Sequence, residues 1–281
     1  YDVIHLDIQW CLEPAGKAEN LISYISEKTI SELKECYPGV LKSDIVSLPE
    51  ALAIINAETG NKFIVIIDEW DVLIRDEAAN KNVQEDYINF LRGMFKGTEP
   101  TKYIQLAYLT GILPMKKEKT QSALNNFDEF TMLSPSNLAQ YVGFTEDEVR
   151  GLAREYNQDF DKVKMWYDGY LLRDYQVYNP RAVVSVMLKG EFKSYWSETA
   201  SYEAIVPLIN MNYDGLKTAI IAMISGAEVK VNTGTFKNDT LNIKSKDDVL
   251  TYMIHLGYLA YDQTNSCLLY TSPSPRDVEE S

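Results

Sequence analysis

Residues 62–71 read KFIVIIDEWD: five apolar residues, mostly β-branched, run straight into Asp68 and Glu69, and a third carboxylate, Asp71, follows two positions on. A continuous apolar run of this length predicts a central strand of a parallel sheet, buried on both faces. Ligands in such sheets bind at the carboxyl ends of the strands, where Asp68 and Glu69 would stand. One carboxylate there suits a water-bound Mg²⁺ and its neighbour can orient or deprotonate a water, a spacing that fits nucleotide hydrolysis. An Asp68 that caps the next helix beside a solvated Glu69 satisfies the same pattern. On these residues alone both readings stay open.

Bulk composition narrows the classes. The 281 residues are 46% hydrophobic and 24% charged, as in an ordinary globular protein of one large or two smaller domains. No apolar stretch approaches the roughly 18 residues of a membrane span, so a cytoplasmic protein without membrane contact is expected. The net charge of −14 argues against a broad nucleic-acid-binding surface. Lys116, Lys117 and Lys119 form a short basic run of the kind a solvated loop carries. Cys11, Cys36 and Cys267 are widely separated, which gives neither a zinc cage nor a disulfide framework. His5 and His255 stand alone in apolar surroundings, so a histidine-centred triad or metal site is not expected.

Outward from the acidic strand, strands and helices alternate. Residues 1–8 (YDVIHLDI) predict a strand, and residues 20–36 a helix with Leu21, Ile22, Ile25, Ile30 and Leu33 at helical spacing. Ser47 with Glu50 three positions later offers an N-cap for a helix closing near Gly60. Residues 84–95 predict an amphipathic helix and 103–109 the next strand, closed by Thr110 and Gly111. Right-handed connections between these elements predict a parallel sheet with helices on both faces.

From about Asp128 the alternation is lost. Short helices are expected over 136–140, 145–156 and 160–165, with a capping box at Thr145 and Glu148. The Asp168-Gly169 pair predicts a tight turn among tyrosines that pack a small core, and Asn179-Pro180 a new helix start. Further helices are expected over 182–188, 202–211, 216–225 and 249–261. The tail from Ser272 is polar and proline-rich. Because residues 267–277 (CLLYTSPSPRD) resemble translated sequencing-adaptor text, the chain from about Asn265 is left outside the fold.

The ordered series VIHLDI, FIVIIDEWD, YLTGILP, MWYDGY, VYNPRAV, SYWSETA and HLGYLAY, spread over residues 1–262, resembles the AAA-ATPase-like family, whose members usually carry a C-terminal PD-(D/E)XK nuclease-type domain. The resemblance implies an α/β P-loop NTPase of AAA+-like type, with a parallel sheet flanked by helices and then a mainly helical lid and C-terminal region. It implies a truncated α/β core over 1–130, a helical lid over 131–200 and a helical and winged-helix-like region over 201–264; composition and the adaptor-like text leave a non-native or disordered tail over 265–281. It implies a Walker B pair in which Asp68 is the magnesium-side carboxylate and Glu69 the hydrolytic base. Thr110 matches a sensor-1-like position; a hydroxyl that merely satisfies a strand-end backbone group fits there as well. Arg181 matches a sensor-2-like phosphate contact, and it is also an ordinary surface-helix residue. Arg75 and Arg92 are available to reach a neighbouring subunit's site.

One element of that family is missing. Nothing matches GxxxxGK(S/T), whose backbone N–H groups and lysine hold the β- and γ-phosphates. At Gly16-Lys17 the hydroxyl residue is replaced by Ala18 and the first glycine by Cys11. The phosphate-binding strand, loop and helix are therefore expected upstream of Tyr1, and residues 1–281 alone are expected to bind ATP poorly. No separate PD…(D/E)xK set follows His255. The reading is an ATP-binding, Mg²⁺-dependent hydrolase that regulates an attached nuclease-type domain and, through it, DNA, with homo-oligomerisation open. The alternatives are a non-hydrolysing ATPase-derived scaffold and a DNA-binding accessory module.

Overall fold

The computed structural model describes residues 1–75, 80–112, 124–193, 195, 208–210, 213–236, 243–262 and 268–271. The lysine run 116–119, Trp196, most of the helix expected over 202–211 and the tail from 272 lie outside these. The chain forms two compact units, Tyr1–Glu129 and Phe130–Ser281.

In the first unit the apolar runs become parallel strands β1 (Asp2–Asp7), β2 (Phe63–Asp68) and β3 (Ile104–Leu109), in the order β1-β2-β3. Between them run helices α1 (Ile8–Ala15), α2 (Leu21–Cys36), α3 (Leu48–Thr59), α4 (Val72–Arg75), α5 (Lys81–Phe95) and α6 (Pro100–Tyr103). The β1 and β2 ladders run in register from Asp2 opposite Phe63 to Asp7 opposite Asp68, so both strands end in an aspartate at the same level. Gly60 takes φ 74° at the end of α3 and turns the chain into β2. Ser47 stands at the N-cap of α3, but its hydroxyl makes no cap hydrogen bond, so the expected capping box is not formed there.

The sheet differs from the expectation in one respect. Ile4, Leu6, Phe63, Val65 and Ile67 are buried beneath helices with Leu21, Ile25, Leu52, Ile55, Tyr87 and Leu91. The opposite face carries the rows Val3–Ile64–Leu106 and His5–Ile66–Tyr108. There Val3 is 58% exposed, Leu106 56% and Tyr108 51%. Both crossovers step the same way across the sheet, so right-handed connections put both sets of helices on one face. Among the described residues the helices cover one face only, and β2 is half-buried on its second.

The second unit is less helical than expected. Helices α7 (Glu146–Glu155), α8 (Phe160–Tyr167) and α9 (Pro180–Lys189) form where their caps predict. Thr145 and Glu148 make the full capping box, and the Asn179 side chain accepts from the Ala182 backbone N–H. Around them lies an antiparallel sheet of β4 (Phe144–Thr145), β6 (Tyr175–Tyr178) and β5 (Asp168–Leu172). Asp168-Gly169 begins β5 rather than a turn, and the reversal comes at Arg173, where φ is 55°. Further on, helices over Leu216–Ile224 and Lys246–His255 alternate with β7 (Val229–Lys230), β8 (Leu259–Asp262) and β9 (Leu268–Thr271), a sheet of order β7-β9-β8. The helix expected to run to Tyr261 stops at His255. Gly257 takes φ 77°, and its N–H and that of Tyr258 bond back to Ile254 and Met253. Residues 268–271, left outside the fold on sequence grounds, pair with β8.

Phe236 lies 5.9 Å from the His255 ring, and burial pushes that imidazole down to about 4. The unfolded chain then binds a proton that the folded chain refuses, so stability is complete above about pH 6.5 and is lost as pH falls toward 4. The loss attributable to His255 is expected to reach about 3 kcal/mol, since each tenfold change in proton affinity is worth about 1.4 kcal/mol. Urea titrations of the wild type and His255→Phe at pH 7 and 4.5 check this, and the variant is expected to lose less stability between the two.

Candidate functional site

The carboxyl ends of β1, β2 and β3 bring together Asp7, Asp68, Glu69 and Thr110. Asp68 is the last residue of β2, and its Oδ1 accepts the Thr110 hydroxyl and the Glu69 backbone N–H (3.0 Å). The Thr110 N–H is already used by the Ile67 carbonyl (2.9 Å), and the Thr110 carbonyl accepts from Trp70 (2.9 Å). With the strand-end backbone satisfied in this way, the hydroxyl is directed to Asp68. Asp7, opposite Asp68 in the ladder, caps α1 through Oδ1 and the Trp10 N–H (2.8 Å).

At Glu69 the backbone turns sharply, with φ 53° in the left-handed region that side-chain-bearing residues seldom adopt. The turn sends Trp70 and Asp71 beneath the end of β3. Trp70 is 3% exposed and its carbonyl accepts the Tyr87 hydroxyl (2.9 Å). The Asp71 side chain is fully buried; its Oδ2 accepts the Ile112 N–H (3.2 Å) and lies 3.1 Å from Arg75 Nε, an ion pair across one helical turn. Arg75 Nη2 also pairs with Glu69 Oε2. Burial pushes the Glu69 carboxyl above the usual carboxylate range; Arg75 opposes that rise, while Asp71, Asp68 and Asp7 add to it.

Gly111 is the close-approach point of the site. A Cβ there would stand 2.6 Å from Asp71 Oδ1 and 2.7 Å from the Trp70 ring. Both neighbours are buried, so neither side chain can swing clear. Gly111→Ala is expected to cost about 1–3 kcal/mol by overpacking, measured as a drop in the urea midpoint.

Residues 1–120 match the model of the AAA-ATPase-like family, described as predicted AAA-ATPase. Over these residues the chain is similar to that family. The matched segment holds Asp7, Asp68, Glu69, Asp71, Arg75, Thr110 and Gly111. An uncharacterised protein encoded in the vnfD 5′ region of Azotobacter chroococcum mcd 1 is 29% identical over 157 residues, 55% of this chain and 30% of that relative. The chain thus spans under a third of that protein's length. No solved structure matches the chain.

Among the residues singled out in the sequence, the structure brings Asp68, Glu69 and Thr110 to one place. Arg181 belongs to the second unit, on the first turn of α9, so its place in the site rests on the resemblance alone. Arg75, expected to be available to a neighbouring subunit, is engaged within its own chain by Glu69 and Asp71. Sequence reasoning misses Asp7 and Arg75 as parts of this site. Asp7 carries the same signal as Asp68, an apolar strand ending in an acid.

The donor set fits a metal that arrives with a nucleotide. Among the described residues no group of three or more acidic, histidine or cysteine side chains forms a metal cage. Mg²⁺ typically takes one or two carboxylates and fills its remaining positions with water and phosphate oxygens. Asp68, at an exposed strand end with Asp7 beside it, supplies that kind of partial shell.

Proposed function

We propose that the protein containing this chain hydrolyses ATP at Asp68 and Glu69, as a P-loop NTPase module of AAA+-like type. The observation that carries the reading is the Thr110 hydroxyl on Asp68 at the carboxyl edge of a parallel sheet, one residue from Glu69. Asp68 would hold the nucleotide's Mg²⁺, which neutralises phosphate charge when bound. Thr110 donates its hydroxyl to Asp68 and would contact the γ-phosphate or the attacking water. Glu69 Oε1, the oxygen not paired with Arg75, would orient the attacking water and receive its proton.

The phosphate cradle would come from a βα unit outside residues 1–281. The uncovered face supports this. A strand that precedes β1 and pairs with the edge of β3 that no described strand occupies must return to β1 in the direction opposite to the other two crossovers. Its right-handed connection would then lie over Val3, Ile64, Ile66, Leu106 and Tyr108. The loop of such a unit would sit at the carboxyl ends of the strands, beside Thr110.

Regulation of an attached nuclease-type domain, contact with DNA through it, and self-assembly complete the proposal. They rest on the resemblance and on a relative more than three times the matched length. The described order of helix, strand, helix and two strands in the C-terminal part is compatible with a winged-helix-like region, which supports an accessory DNA reader as a second reading. Chemistry opposes that reading: the helix over Lys246–His255 carries Asp247 and Asp248 in its first turn, Lys246 is paired with Asp247, and Val249 to Ile254 are buried, so the helix presents no broad basic face for phosphates. No helix among the described residues is long and apolar enough to cross a membrane.

Phosphate release from ATP by the full-length protein, with Mg²⁺ and with chelator, tests the reading. Turnover that requires Mg²⁺ is expected; a protein that binds Mg·ATP without releasing phosphate is instead the non-hydrolysing scaffold.

A further inference from the structure

The left-handed turn at Glu69 leaves a carboxylate that is 39% exposed on a backbone no regular element holds. A group that must meet a water at a fixed point needs a second constraint. The only cation the described ion pairs give it is Arg75, six residues on and at the last position of α4. Arg75 is itself anchored. Its Nε lies 3.1 Å from Oδ2 of the fully buried Asp71, an ion pair without hydrogen-bond geometry, and Asp71 is tied by the Ile112 N–H to the segment that follows β3. The chain Ile112, Asp71, Arg75, Glu69 thus links the strand-end segment that carries Thr110 to the carboxylate beside Asp68.

We propose that Arg75 and Asp71 are positioning residues for Glu69: the buried Asp71 charge holds the Arg75 guanidinium by ion pairing at Nε, and its Nη2 holds Glu69 Oε2 and leaves Oε1 for the attacking water. The proposal rests on the hydrolytic reading given above. It assigns Arg75 a role within its own chain rather than toward a neighbouring subunit. Only a planar fork serves two carboxylates along two edges; a lysine is a single point of charge.

The test uses the full-length protein with Mg·ATP, comparing the wild type, Arg75→Lys, Glu69→Gln and the double variant. Arg75→Lys keeps a cation for Asp71 and withdraws the fork from Glu69. It is expected to lower kcat about 10- to 100-fold, the scale of a misplaced reacting group. The KM for ATP is expected to stay within about threefold, because a group acting on the water rather than on the phosphates leaves uniform binding intact. In the Glu69→Gln background the same change is expected to cost less than about twofold, since a residue acting through Glu69 has nothing left to position. A raised kcat, a raised KM at unchanged kcat, or a full additional loss in the double variant would each overturn the proposal. Should Arg75→Lys fail to fold, Arg75→Gln combined with Asp71→Asn, which leaves no buried charge unmatched, is expected to show the same kcat loss at unchanged KM. A wild type without ATP turnover, or a Glu69→Gln variant as fast as wild type, overturns the hydrolytic reading and this proposal together. Loss of turnover in Glu69→Gln with an unaffected Arg75→Lys overturns the proposal alone.

Discussion

Glu69→Gln in the full-length protein is expected to lower ATP turnover by about 10²- to 10⁴-fold, the usual contribution of a positioned general base, while nucleotide binding persists. Glutamine keeps the size of the side chain and can still accept a hydrogen bond from Arg75, so the turn at Glu69 and the packing of Trp70 should survive. What it loses is the capacity to take a proton from water. Steady-state phosphate release and equilibrium binding of a labelled nucleotide separate the two effects. Retained turnover would place the base elsewhere, and loss of binding together with turnover would make Glu69 a binding residue. Asp68 is a weaker choice for this experiment, because replacing it would remove a hydrogen-bond acceptor of Thr110 and the carboxylate proposed for the metal at once.

Arg75→Ala is expected to be the most destabilising single change in the site, at about 3–5 kcal/mol. The figure is that for removing one partner of a buried pair, which leaves an uncompensated charge in low dielectric. The Asp71 side chain is wholly buried, whereas that of Arg75 is 24% exposed, so some water reaches the pair and the lower end of the range is expected. Adding Asp71→Asn should restore much of the loss by removing the stranded charge. Urea titrations of wild type, Arg75→Ala and the double variant check this. If Arg75→Ala costs less than about 1 kcal/mol, the pair behaves as a surface ion pair, and Asp71 cannot be anchoring Arg75.

These expectations also mark what the sequence made legible. The run Phe63 to Ile67 forms the strand it predicts, and Asp68 ends it, because a β-branched run followed by an acid has few other ways to fold. The capping residues Thr145, Glu148 and Asn179 act as predicted because cap chemistry is local. The one-sided sheet was not legible. Ile64 and Ile66 are as apolar as Val65 and Ile67, so composition reads both faces as covered, whereas the cover depends on strand order and crossover direction.

Within the site, proximity in sequence reveals Asp68 and Glu69 but not their partners. The contact between Asp68 and Thr110 depends on the β2–β3 ladder, 42 residues apart in sequence. The pairing of Arg75 with Glu69 depends on a positive φ at Glu69, and nothing in the residue type announces such a backbone there, whereas its pair with Asp71 spans one helical turn. The hairpin of β5 and β6 escapes prediction for a related reason: Asp168-Gly169 is the usual turn signal, yet Arg173 takes the left-handed position. A short pair of strands among tyrosines has no helical or strand period long enough to outvote that signal.

The central claim is that the carboxyl end of β2 receives a metal-bound nucleotide. Its most direct test is calorimetric titration of ATP into the full-length protein with Mg²⁺ and with chelator, for wild type and Asp68→Asn. The account predicts wild-type binding that strengthens with Mg²⁺ and an Asp68→Asn protein in which that gain is largely lost. Binding that is indifferent to both Mg²⁺ and Asp68, or no binding at all, would contradict it.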